Sequence, residues 1–219
     1  MIELIRPTSL LAEQWWELVD EFGEAPIHGS GYRFADRAEL ERPGGLEAWV
    51  DLLASYEVDG SDLPEGWVPG SYRWILQDEQ LVGTITVRHR LTGALLVVGG
   101  HIGYAVRPSA RRRGIATAAL RQALGVAARL GIDPALVTCE DDNLASARTI
   151  EASGGVLENV LGTSRRYWVP TTPPTPPTPP TPPMLGTVLA ADPADSADSA
   201  DPAVPAADAA DWAGRRAPA

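Results

Sequence analysis

Cysteine occurs once in this 219-residue chain, at Cys139, which excludes an internal disulfide framework and a zinc site built from cysteine alone. That usage suits a reducing compartment. No uninterrupted apolar stretch is long enough to span a bilayer. The start, Met1-Ile2-Glu3-Leu4-Ile5-Arg6, lacks the basic region, apolar core and small-residue cleavage site of a secretory leader. Both features lead to the expectation of a soluble, cytoplasmic protein without a membrane partner. Positive charge is in deficit as well. The formal net charge of -11 argues against generic binding to nucleic acid and mildly favours a cationic small molecule or a basic peptide.

What is present divides unevenly. The 44% hydrophobic fraction supports a buried core, whereas many of the 20 prolines fall in one late stretch. From Thr172 to Pro183 the chain repeats Thr-Pro-Pro, and beyond that it turns to Ala, Asp, Pro and Ser. The expected organisation is a folded domain over 1–169, a polyproline II linker over 170–183 and an Ala/Asp/Pro-rich disordered tail over 184–219, because the tail offers too little apolar surface to offset ordering entropy. The segment after Val169 holds six aspartates against Arg215 and Arg216, so -4 of the net charge sits there.

Within the first 169 residues, Ile2 to Arg6 reads as a strand, and Ser9 stands where it could cap a helix with apolar positions Leu11, Trp15, Leu18, Val19 and Phe22. A second helix is expected over Leu46 to Tyr56. Tyr72 to Gln77 and Leu81 to Leu91 read as a hairpin, and a further strand runs from about Gly100 to Val106 until Arg107-Pro108 ends it. The apolar positions Ala116, Leu120, Ala123, Leu124, Ala127 and Leu130 then keep a helical period up to Gly131, and Ala135 to Cys139 reads as the next strand. Strand, helix and strand in that order predict a parallel crossover. Asn143 caps another helix over Leu144 to Ser153, followed by an antiparallel pair, Val156 to Leu161 and Arg165 to Val169. The fold class expected is α/β: a mixed, mostly antiparallel central sheet with one parallel crossover.

The chemistry concentrates in His101-Ile102-Gly103-Tyr104-Ala105-Val106-Arg107-Pro108 and the following Ser109-Ala110-Arg111-Arg112-Arg113-Gly114-Ile115-Ala116-Thr117. A strand enters a tight basic turn and leaves as a helix whose first N–H groups have no internal partner. Backbone amides, the positive helix end and three arginines converge on one point, and Gly114 admits a phosphate without a side chain in the way. A pyrophosphate fits. The spacing is neither that of dinucleotide-binding nor that of nucleotide-hydrolase glycine loops.

Here the sequence resembles the GNAT superfamily of acyl-CoA N-acyltransferases, whose signature Arg/Gln-x-x-Gly-x-Gly/Ala is matched by Arg111, Gly114 and Ala116, with Val106 and Pro108 matching the strand end before it. It looks closest to a group of bacterial predicted acetyltransferases of unknown acceptor, which share the strings starting here at His101, Thr138 and Gly154. The resemblance implies acetyl-CoA as acyl donor, helices on both faces of the sheet, and a pantetheine arm lying between strands that splay near Val106 and Cys139. It implies cofactor contacts from Val106, Arg111, Arg112, Arg113, Gly114, Ile115, Ala116 and Thr117. Asn143 and Ser146 match the family's Asn-x-x-Ala/Ser helix start, where the asparagine serves as cofactor contact, as helix cap, or as both. Many such relatives dimerise, so a homodimer is among the assemblies to expect.

One departure stands out: the tyrosine that often follows that asparagine by seven residues, where it protonates the departing thiolate, is Ile150 here. Tyr104 and Tyr167 are the tyrosines left for that task, unless solvent performs it. An attacking amine needs a base. His101 is the titrating residue of the motif segment, though a structural ring is the equal alternative; Glu140 follows, directly or through water. Asp141 and Asp142 either attract a cationic acceptor or are solvated. Cys139 has no basic neighbour in sequence, which favours direct attack over an acyl-cysteine. The expected function is transfer of acetyl from acetyl-CoA to a primary amine, small molecule or peptide, without a metal; the alternative is a non-catalytic acyl-CoA sensor that recruits partners.

Overall fold

The computed structural model describes residues 1–58 and 63–172. Most of the linker expected over 170–183, all of the tail expected over 184–219 and part of the loop over 59–70 therefore lie outside the described residues. Among these residues a seven-stranded sheet is built from β1 (Ile2–Ile5), β2 (Gly70–Gln77), β3 (Gln80–Arg88), β4 (Ile102–Val106), β5 (Ala135–Glu140), β6 (Val156–Leu161) and β7 (Ser164–Val169). Its spatial order is β1-β2-β3-β4-β5-β7-β6, antiparallel throughout except for the parallel β4/β5 pair. The hairpin between β2 and β3 closes through Asp78 and Glu79, both left-handed at φ 48° and 66°, which matches the twist of the flanking strands.

Helices cover both faces. On one, α5 (Ile115–Arg129) lays Ala119, Leu120, Ala123 and Ala127 on Ile75, Ile85, Ile102 and Val137; its alanines let the helix approach the sheet closely. The short helix α6 (Leu144–Glu151) adds Ala147 and Ile150 to the same cluster. On the other face, α1 (Ala12–Phe22) and α3 (Gly45–Ser55) enclose a tryptophan-rich core. Trp15 stacks on Trp74 at 5.1 Å and 6° and packs against Trp49, with Leu18, Leu53 and Leu81 around them. A four-residue helix α2 (Arg37–Leu40) lies between α1 and α3.

Several local expectations shift. Thr8, not Ser9, caps the first turn, accepting from Leu10 N at 3.3 Å, and a 3-10 turn over Ser9–Leu11 precedes α1. Strand β3 stops at Arg88 rather than Leu91, and a helix absent from the sequence reading, α4 (Gly93–Val97), follows because the Thr92 hydroxyl accepts from Leu95 N. Leu130 lies beyond the end of α5 and is exposed, so the apolar stripe ends one turn earlier than its period suggested. No described helix is long and apolar enough to cross a membrane.

Candidate active site

The parallel neighbours β4 and β5 meet at a single register pair, Ile102 opposite Val137. Beyond it β4 pairs only with β3, and β5 only with β7, so the two strands diverge. Arg107 N donates to Val82 O, and antiparallel ladders alternate, so Tyr104 and Val106 turn their backbone N–H groups toward the gap rather than toward β3. A cleft of about 720 Å³ opens there, lined by Tyr104, Ala105 and Val106, by the turn into α5, and by Asn143, Ser146 and Thr149 from α6.

The turn after β4 is clamped from below by α1. Glu21 accepts from Ser109 N, from the Ser109 hydroxyl and from Arg107 Nε, and these bonds outweigh the effect of burial and hold its carboxyl below the usual range. Arg112 and Gly114 both take left-handed backbone, at φ 61° and 75°, which tightens the turn between β4 and α5. A Cβ placed on Gly114 would meet nothing within 4 Å, so the mouth of the turn is open. Arg111 donates through Nε to Val106 O at 3.0 Å and lies 5.9 Å over the Phe22 ring, while its neighbour Arg112 lines the cleft. Ile115, Ala116 and Thr117 line it too; Arg113 is exposed and stands outside the lining. Open anion turn, diverging strands and extended cleft together fit a pyrophosphate with an extended arm.

Asn143 Oδ1 accepts from Ser146 N at 3.0 Å, capping α6 at the cleft wall. Ser146 Oγ lies 2.7 Å from Tyr104 Oη, so the strand tyrosine reaches the helix from which the resemblance led us to expect one. Burial pushes the Tyr104 hydroxyl up to about 12, against the pull of the Ser146 and Thr149 hydrogen bonds. Ile150 itself is fully buried in the core.

His101 occupies a different kind of place. Its ring Nδ1 accepts the Leu136 N–H at 2.9 Å, and its backbone N–H donates to Leu136 O at 2.7 Å, so ring and backbone together complete the β4/β5 junction just before the gap. Burial, then Arg88, lowers its pKa and keeps the ring neutral. It is not part of the cleft lining. His28 is, on the loop after α1. Thr84 and Thr86 donate to His28 O at 2.9 Å and Gly29 O at 2.6 Å, pinning that loop across β3. Desolvation, then Arg33 and Arg88, lowers the His28 pKa, and Glu140 at the end of β5 raises it. The structure thus brings Tyr104, Val106, Asn143 and Ser146 together with His28, and leaves His101 behind them.

A family model described as "Acetyltransferase (GNAT) domain" matches residues 42–156. The chain belongs to the GNAT acetyltransferases. No curated protein sequence matches it. Among solved structures it is similar to the microcin C7 self immunity acetyltransferase MccE, at 16% identity over 77% of this chain and 92% of that one, TM-score 0.55. Mycobacterium smegmatis RimJ matches at 19% identity over 77% and 80%, TM-score 0.55, and a probable acetyltransferase at 21% over 78% and 93%, TM-score 0.53. At such identities the likeness is one of fold.

In this GNAT domain His28 was not apparent from sequence because it lies on an aperiodic loop far ahead of the motif segment, and the threonine bonds from β3 fix that loop. Cys139 is half-buried, and burial pushes its thiol up, with Arg165 and Ser146 acting the other way. Among the described residues no cluster of His, Cys, Asp and Glu is arranged for a metal.

Proposed function

We propose that this protein transfers an acetyl group from acetyl-CoA to a primary amine by direct attack in the β4/β5 gap. The observation that carries the reading is the single Ile102–Val137 pair, beyond which Tyr104 and Val106 offer backbone N–H groups to an extended acyl donor. The turn from Arg111 to Gly114 is the seat for pyrophosphate, with Ile115, Ala116 and Thr117 continuing it along α5. The strand N–H groups polarise the thioester carbonyl.

In the transfer step the amine nitrogen forms a bond to the acetyl carbon and the carbon–sulfur bond breaks. His28 takes the amine proton and passes it to solvent; its lowered pKa keeps the ring neutral and ready at neutral pH, and Glu140 steadies the charge it gains. Tyr104 donates a hydrogen bond to the departing sulfur. With a pKa near 12, above that of an ordinary thiol, it stabilises the thiolate as a donor while solvent supplies the net proton. This assignment replaces His101 as base, moves Glu140 from alternative base to charge partner of His28, and keeps Tyr104.

The sensor reading has Ile150 in its favour, since the usual tyrosine position is filled by a core residue. Thiol release from acetyl-CoA over pooled amines, run beside CoA-induced shifts in melting temperature, separates the two. Amine-dependent thiol release that falls about 100-fold in Tyr104→Phe with CoA binding kept supports transfer. A CoA-induced shift with no release from any amine supports the sensor. Absence of any shift refutes both.

A further inference from the structure

The acetyl transfer just described leaves one sheltered cation unused. Arg88, the last residue of β3, lies on the same sheet face as Thr84 and Thr86, the face crossed by the His28 loop. Its guanidinium lies over Gly103, the first residue of β4 past the Ile102–Val137 pair: a Cβ built on Gly103 would stand 3.6 Å from both Nη1 and Nη2, and 3.7 Å from Gly29 N. A Cβ at 103 would only touch this group, so the guanidinium rests directly on the β4 backbone at the fork of the two strands.

Arg88 has an asymmetric set of partners. Nη1 donates to Gly99 O at 3.0 Å and Gly100 O at 3.1 Å, and both bonds go to neutral carbonyls. Nε and Nη2 make no hydrogen bond within the described residues, and no carboxylate there lies at ion-pair distance. The other partly buried arginines behave differently: Arg73 is paired with Glu57, Arg107 with Glu21, Arg166 with Glu158. A guanidinium remains charged at any working pH, and this half-buried one keeps an edge that is reached by solvent rather than sealed in the core, where an anion can meet it. Burial lowers the Arg88 pKa, opposed only by Tyr72. The Nε/Nη2 edge left over is the one that grips a carboxylate through two parallel bonds.

The surroundings fix what else the ligand carries. A Cβ on Gly103 would touch both the Arg88 guanidinium and Gly29 N, so the free edge sits beside the loop that carries His28, and Arg88 and Glu140 act on that ring with opposite signs. A cation recognised toward Glu140 and an anion recognised at Arg88 describe a zwitterion. We propose that the acceptor is an amine bearing a carboxylate, of the amino-acid class, whose carboxylate is held by Arg88 while its amino group is delivered to His28. This rests on the transfer reading above for its chemistry, although not for its binding.

The experiment compares L-amino acids with their C-terminal amides and their decarboxylated amines as acceptors, in wild type, Arg88→Met and Arg88→Lys. In the wild type kcat/KM for an acid should exceed that for its amide by about 100-fold, because the amide leaves the Arg88 edge unsatisfied. The ratio should fall toward one in Arg88→Met, and Arg88→Lys, which keeps the charge but not the fork, should recover part of it. A CoA-induced shift in melting temperature verifies that each variant folds. Equal use of acids and amides by the wild type, or an unchanged ratio in a folded Arg88→Met, overturns the proposal. With CoA bound, melting temperature is also read against added acid and added amide. Stabilisation by the acid alone supports the Arg88 site even if no amine is acetylated, and stabilisation by neither refutes it, so its failure is distinguishable from failure of the transfer reading.

Discussion

An imidazole acts as a base only if one ring nitrogen is free to receive the substrate's proton, and that requirement separates two histidines alike in sequence. His101 has committed Nδ1 to the Leu136 N–H inside the sheet, whereas His28 stands at the cleft beside charges that tune it. Replacing His101 with alanine should leave the Leu136 N–H buried without a partner, at a cost of about 1–3 kcal/mol, visible as a lower urea midpoint. His28→Ala should leave that midpoint nearly unchanged and slow transfer by about 100-fold. The pH dependence has a definite sign. Burial depresses the His101 pKa on folding, so the unfolded chain binds more protons just below the ordinary histidine pKa. Its contribution to stability is fully present above that value and is lost as pH falls toward the depressed folded one. Urea midpoints measured from pH 7.5 down to 5.5 should decline, and less steeply in a folded His101→Gln. Equal slopes would show that the ring is not held neutral by the fold.

Elements differ in how openly the sequence displays them. The turn from Arg111 to Gly114 and the cap at Asn143 were legible because each is made by residues adjacent in the chain, where glycine, arginine and asparagine have local backbone roles. The β4/β5 crossover followed from its strand–helix–strand order. The His28 loop was not legible: residues 27–31 have no periodicity, and their position is set by Thr84 and Thr86, more than fifty residues away in sequence. Arg88 likewise stood unmarked inside the strand expected over Leu81 to Leu91, since its place over Gly103 is set by the pairing of β3 with β4. The loop's seat can be tested. Gly29 has φ +81°, and a Cβ there would fall 2.2 Å from Gly103 O. Gly29→Ala must therefore lift the His28 loop away from β4. Acetyl transfer should drop by at least about 100-fold while CoA still raises the melting temperature, because the Arg111 to Gly114 turn proposed for the pyrophosphate belongs to another loop. Retained turnover would remove the His28 loop from the mechanism.

At the scale of the whole chain, the boundary of the domain can be placed by its contacts. Thr171 is buried, and its hydroxyl meets Ile132 O at 2.7 Å and Asp133 Oδ1 at 3.0 Å, while Thr172 reaches Asp133 Oδ2. A chain ending after Thr172 should keep the melting temperature and turnover of the full protein, whereas one ending after Pro170 should melt lower, since Asp133 loses the Thr171 N–H that holds its carboxyl below the usual range. Loss of transfer in a folded chain ending after Thr172 would place the Pro-rich segment at the acceptor site. Composition supplies a further constraint, because the 18 residues counted as lysine or arginine are all arginine. No side-chain amine exists to carry an acetyl group, and of the remaining nucleophiles the Cys139 thiol is intrinsically the most reactive candidate for a covalent acyl-enzyme. That thiol is half-buried with its pKa raised by burial, so little thiolate is available for attack. Direct attack on the thioester should then leave no acetylated enzyme behind. Protein incubated with acetyl-CoA without acceptor should show no intact-mass increment that hydroxylamine removes, and Cys139→Ser should retain transfer. A hydroxylamine-labile acetyl group, lost together with activity in Cys139→Ser, would instead establish a two-step route through the cysteine.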